Sequence, residues 1–171
     1  MAILPRAGNR YDFYTANDSV DFAIFPAGII DYVAKDTPIR LQRGDGGFGA
    51  VHIAKSHGPW LDKHKVDVAT MVWSKLQGSG KVYTTEESEK HKIDLRFNPQ
   101  ALAVLKYKCI RGQSPFFTVV TMYLPEGTLD GEVIGHYRGK GGGMPPVFAL
   151  QEQIKPVVSY KTKRKLELPS D

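Results

Sequence analysis

An α+β fold, with short N-terminal helices packed on a four-stranded antiparallel sheet, is predicted by three observations. Apolar residues recur at helical spacing before Gly78, they alternate with polar ones after Gly80, and the joints between the alternating runs are short and turn-like. The helical repeat is carried by Val68, Met71, Val72 and Leu76, with Asp67 placed to cap the first turn and Gly78-Ser79-Gly80 to end it. A shorter helix, about Ala50 to His57, precedes it. Gly58-Pro59 reads as its stop, since glycine accepts the left-handed cap and proline cannot continue the hydrogen-bond ladder.

Four strands are expected beyond Gly80. They are Lys81–Thr84, the run in which Ile93, Leu95 and Phe97 alternate with Asp94 and Arg96, Leu102–Ile110, and Phe116–Leu124. The joints TEESEKH, NPQ and RGQSP suit antiparallel hairpins. Upstream, Pro38–Gln42 alternates as a short half-buried strand, and Arg43-Gly-Asp-Gly-Gly-Phe-Gly49 is a glycine-rich loop. The stretch Asp21–Lys35 carries no clear period. The expected organisation is an arm or extension over residues 1–37, one domain over 38–125, and a Gly-rich linker with a basic tail over 126–171, the tail holding Lys155, Lys161, Lys163, Arg164 and Lys165.

With 42% hydrophobic and 24% charged residues in 171, the chain has the composition of an ordinary globular domain. No window approaches the ~20 apolar residues of a membrane span, and the start MAILPRAGNR lacks the apolar core of a secretory signal, so a cytoplasmic protein is expected. The net charge of +5 favours a polyanionic partner. A lone Cys109 excludes an intramolecular disulfide and a thiolate metal cluster; within LAVLKYKCI it reads as a small, buried strand residue.

Histidine is the side chain best suited to proton transfer near neutral pH. Of the five present, His52 and His57 bracket the short helix together with Lys55 and Ser56. Residues five apart on a helix differ by about 140° in direction, so both imidazoles line one cleft only if His52 stands at the helix entrance or His57 at its end. Otherwise one is a core or capping residue and the other a solvated side chain. No carboxylate or third histidine falls at zinc-ligand spacing on this helix. His64, His91 and His136 receive no role. The loop GDGGFG lacks a Walker ending and a Rossmann context, and reads as a turn feeding the helix.

The run Gly49-Ala-Val-His52-Ile-Ala-Lys-Ser-His57-Gly58, followed by a helix and then strands ending in Val119-Val-Thr121-Met-Tyr123, resembles the phage-associated nuclease-like domains of the barnase–EndoU–colicin–RelE (BECR) superfamily. The resemblance covers about residues 38–124 and rests mainly on the histidine motif. It implies helices against an antiparallel sheet and metal-independent cleavage of RNA, as in toxins and phage-borne effectors, without a cofactor. On that reading His52 and His57 form the base and acid pair, Lys55 helps carry phosphate charge, and Thr121 and Tyr123 share one strand face toward the phosphate. Ser56, Arg43, Lys81, Arg96 and Lys106 are candidates for substrate contacts. The partners implied are RNA, a cognate inhibitor or immunity protein, and a phage virion protein, with delivery by a phage particle or secretion system as the alternative to a purely cytoplasmic place.

Two other functions stay open. A nucleic-acid-binding or virion-associated protein of the same fold would tolerate loss of both histidines. An ADP-ribosyl transferase would need a nicotinamide nucleotide and a catalytic glutamate, for which Glu126 or Glu132 would have to serve.

Overall fold

The computed structural model describes residues 8–84, 92–98, 100–128, 131–141, 143, 144 and 146–151. The whole TEESEKH joint, His91 included, and the basic tail lie outside these. In chain order the elements are β1 (Phe13–Ala16), β2 (Ala23–Phe25), β3 (Thr37–Arg40), α1 (Gly49–His64), α2 (Val68–Leu76), β4 (Ser79–Thr84), β5 (Lys92–Asn98), β6 (Ala101–Lys108), β7 (Phe116–Tyr123), β8 (Glu132–Arg138) and β9 (Phe148–Gln151).

The fold is α+β, but the sheet is larger than the alternating runs predict. Seven strands run in the order β2-β3-β7-β6-β5-β4-β8, and β1 pairs separately with β9. The helices follow three strands instead of opening the domain. The expected four-stranded meander is present as β4-β5-β6-β7, all antiparallel. What the sequence pattern misses is how this meander is extended. The strand expected over Pro38–Gln42 is present as β3 (Thr37–Arg40), but its alternation does not announce that it joins β7 in parallel across α1, α2 and the meander, and β2 is only three residues long, too short to display a period. In β8 the outward Val133 is 41% exposed and Gly135 interrupts the alternation, so the strand lacks an apolar face to read.

One face of the large sheet carries the core. Ile93, Leu95, Phe97, Ala101, Ala103, Leu105, Phe117, Val119 and Met122 meet Ile53, Leu61, Met71, Val72 and Leu76 from the two helices. Each fully buried leucine, isoleucine or phenylalanine here contributes about 1.5–3 kcal/mol relative to exposure. Alternation sends Lys92, Asp94, Arg96, Val104, Lys106, Thr121 and Tyr123 to the opposite face, where the register lines them up across strands. A bulge between Val104 and Leu105 in the β6–β7 pairing leaves Val120 unmatched, which keeps Thr121 and Tyr123 on this outer face while Val119 and Met122 point inward.

Helix α2 forms as its spacing predicts, and the Asp67 carboxylate accepts a 2.8 Å hydrogen bond from the Thr70 amide. Helix α1 does not stop at Gly58-Pro59. It breaks at His57 (φ −128°, ψ 22°), resumes, and ends with Lys65 in the left-handed region. Proline cannot donate to the carbonyl four residues back and clashes with it, so the ladder fails there, yet Pro59 is well suited to the first turn of the segment that follows. Cys109 is also corrected: β6 ends at Lys108, and the thiol is exposed. No described helix is long and apolar enough to cross a membrane.

Candidate active site

The glycine-rich loop sets where α1 begins. Gly44 (φ +69°) and Gly49 (φ +76°) both have left-handed backbones, and a Cβ on Gly44 would lie 1.8 Å from the Phe48 carbonyl oxygen. The loop therefore folds back on itself as a turn feeding the helix. It presents the Gly46 carbonyl to the first turn of α1, where His52 Nδ1 lies 2.8 Å from that oxygen. A carbonyl only accepts, so Nδ1 carries the proton and Nε2 is the ring nitrogen not engaged by the loop. The Ser56 hydroxyl, one turn on, stands 3.4 Å from the same Nδ1.

The break at His57 resolves the directional problem posed by five-residue spacing. As the last residue of the first helical segment, His57 is freed from the helical angle, and its ring centroid lies 6.1 Å from that of His52 with the rings nearly perpendicular. On its other side it stacks on Tyr123 at the end of β7, 5.2 Å between centroids and 22° between planes. Strand β3 pairs with β7 only at Phe117 and Thr118, so the later half of β7 is bordered by α1 instead of a strand. That border holds the two imidazoles.

Burial, and then the charge of His52, push the His57 pKa below the ordinary histidine value. Burial, and then the charge of Asp94, push the Tyr123 phenol upward, so near neutral pH it remains an O–H donor. Asp94 is itself raised by burial. The Thr121 hydroxyl oxygen is buried without a hydrogen-bond partner among the described residues, two positions from Tyr123 on the same strand face.

Beside the glycine loop, a cleft of about 290 Å³ is lined by Gly47, Phe48, Lys92, Lys106, Lys108, Thr118 and Val120. Lys106 lies opposite Lys92 on one side and Thr118 on the other. Burial, and then Lys106, depress the Lys108 pKa. This cluster is suited to an anion.

The sequence-predicted residues thus separate into groups. His52, Ser56, His57 and Tyr123 are brought together, and Thr121 lies on the adjoining strand face. Lys55 is exposed on α1. Lys106 lines the loop-side cleft, whereas Lys81 and Arg96 line a different one, farther across the sheet. Arg43 donates to the Gly44 carbonyl (3.3 Å) and lines neither. Asp94, Lys92 and Lys108 were missed. Their signal was strand parity: once hairpin register is fixed, Asp94 and Lys92 share a face with Thr121 and Lys106. Among the described residues, no group of three or more His, Cys, Asp or Glu side chains stands where it could hold a metal ion. Comparison with protein-family models, curated proteins and solved structures finds no match to this chain.

Proposed function

We propose that the protein is a metal-independent endoribonuclease whose base and acid are His57 and His52. The observation that carries this reading is the imidazole pair itself, 6.1 Å apart at the border of α1 and β7 with one ring stacked on a tyrosine. RNA supplies its own nucleophile. The 2′-oxygen attacks phosphorus, its proton passes to a ring nitrogen of neutral His57, the P–O5′ bond breaks, and His52 Nε2–H delivers a proton to the departing 5′-oxygen. The products are a 2′,3′-cyclic phosphate and a 5′-hydroxyl.

The roles follow from the local environments. Burial and the neighbouring charge favour a neutral His57, which suits a base. The Gly46 carbonyl accepts from His52 Nδ1, which fixes the orientation of that ring and leaves Nε2 to deliver a proton, as the acid's place requires. The Tyr123 hydroxyl and the Thr121 hydroxyl, which has no partner among the described residues, would donate to the phosphate oxygens as charge builds on them, with Lys106 and its neighbours supplying positive potential. The resemblance of residues 38–124 to BECR nuclease-like domains points the same way.

The test is incubation of purified protein with total RNA beside the His52→Ala and His57→Ala variants. Cleavage by the parent and its loss in both variants supports the reading. A non-catalytic RNA-binding protein would bind without cutting, and its binding would survive both substitutions.

A further inference from the structure

A second cleft, of about 640 Å³, opens on the outer side of β4, β5 and β8. Lys81, Arg96, His136 and Arg138 line it, and none of its lining residues is acidic. Register explains the concentration of charge. Lys81 lies directly opposite Arg96 on β5 and opposite His136 on β8, so the three side chains stand in one row on one face. Arg138 follows His136 two residues along the same strand. Among the described residues, none of the four makes a side-chain hydrogen bond or an ion pair, and neither does Asp94 in the next row. Like charges directly opposite each other, as Lys81 and Arg96 are, destabilise a sheet, and among the described residues no ion pair forms here to offset that cost.

The backbone register continues beyond the cleft. Arg96 is opposite Leu102, whose apolar side chain is fully buried, and Leu102 is opposite Tyr123, the residue on which His57 stacks. At about 4.8 Å per strand, the Arg96 backbone lies about 10 Å from Tyr123, Lys81 about 14 Å and His136 about 19 Å. Half-buried Tyr83 also lines the cleft, a ring on which a base can stack.

We infer that this cleft is an extended subsite for single-stranded RNA, holding the phosphates of the strand whose scissile bond lies at the histidines. The inference rests on the ribonuclease reading for its orientation, and on the cation row for its existence. A track of this length suits a strand of about 4 or more nucleotides, the lower end of the range for single-strand grooves. Charge without orienting hydrogen bonds is what recognition of a sequence-independent backbone requires.

The experiment measures binding of a fluorescein-labelled, uncleavable 2′-O-methyl 12-mer of uridine to the full chain across a series of KCl concentrations. The variant replaces Lys81, Arg96 and Arg138 together by alanine. Its control removes equal charge elsewhere, by Lys35→Ala, Lys63→Ala and Lys65→Asn, all exposed positions. The cleft variant should bind about tenfold or more weakly and with a salt slope flattened by about 2, as expected for loss of three phosphate contacts to a single strand. Thermal melting should show it folded, with its Tm unchanged or raised, because repulsion has been removed. Equal weakening by both triple variants, or no weakening by either, would overturn the subsite. So would an absence of binding to the parent, whether or not an acidic protein binds there. Loss of 12-mer binding in the cleft variant alone supports the subsite even if the parent cuts no RNA, so the two readings fail separately.

Discussion

At the β7 border, titratable side chains are anchored, whereas on the β4–β5–β8 side of the same sheet they are not. His52 is tied to the Gly46 carbonyl and His57 is stacked on Tyr123, while Lys81, Arg96, His136 and Arg138 stand in register without a described partner. The difference matches two kinds of task. Proton transfer depends on aiming a nitrogen within hydrogen-bond reach of a reacting atom. Attraction of a polyanion depends on charge density, which a row of flexible cations supplies without being aimed. The anchored border should therefore govern the chemical step and the cation row the affinity.

The largest effect should come from the imidazoles. Alanine at His52 or at His57 should lower kcat by about 10²-fold or more, the usual scale for a general acid or base, and the double variant should lose little beyond the worse single one because the pair acts as a unit. The Lys81/Arg96/Arg138 triple variant should instead raise KM and leave kcat near the parent value. Steady-state kinetics on one labelled RNA decides this, and a fall in kcat for the cleft variant as deep as for the histidine variants would erase the distinction between the two regions.

Tyr123 tests the border more finely. Tyr123→Phe preserves the ring under His57 but deletes the hydroxyl, and should lower kcat by about 10- to 100-fold, the scale of one hydrogen bond to a charged oxygen. Parent-like turnover in Tyr123→Phe, with loss only in Tyr123→Leu, would reduce the residue to a platform for the imidazole.

Titration followed by NMR should find His57 below the ordinary histidine pKa, lowered first by burial and then by His52. His52→Gln should move it up, but not to the ordinary value, because burial persists. The sign for stability follows. The unfolded chain takes up this proton first, near pH ~6.5. The neutral ring's contribution to stability is therefore complete above that pH and is lost as pH falls toward the folded-state value. A His57 pKa that does not respond to His52→Gln would mean that the two rings do not share a field.

The smallest effect concerns Thr121. Its hydroxyl oxygen is buried without a partner among the described residues, so the isosteric Thr121→Val should leave stability unchanged or raise it by about 1 kcal/mol or less, while turnover falls. Loss of stability in denaturant titrations would show that the hydroxyl serves the fold.

These regions also differ in how far the sequence reveals them. The imidazole pair was legible because its parts lie within one decapeptide, Gly49 to Gly58, and local backbone chemistry decides their direction. Even there, Gly58-Pro59 signals a break but not that the helix resumes beyond it, since that depends on Leu61 reaching the core. Helix α2 and the meander were legible from period alone. The outer strands were less so: Pro38–Gln42 announces β3 as a strand but not its parallel pairing with β7 through a long crossover, and β8 presents exposed Val133 and a glycine where an apolar face would announce a strand. The cation row was therefore half visible. Lys81 and Arg96 could be named as contacts, but His136 and Arg138 join them only once β8 is placed beside β4, and strand placement is a tertiary fact.

The most direct test of the central claim is an end-labelled RNA incubated with the full chain in excess EDTA, with product ends identified by mass. The account predicts undiminished cleavage, 2′,3′-cyclic phosphate and 5′-hydroxyl ends, a bell-shaped pH profile, and resistance of both a DNA strand of the same sequence and an RNA carrying a 2′-O-methyl group at the cut site. Abolition of cleavage by EDTA, or equal cutting of the DNA strand, would contradict it.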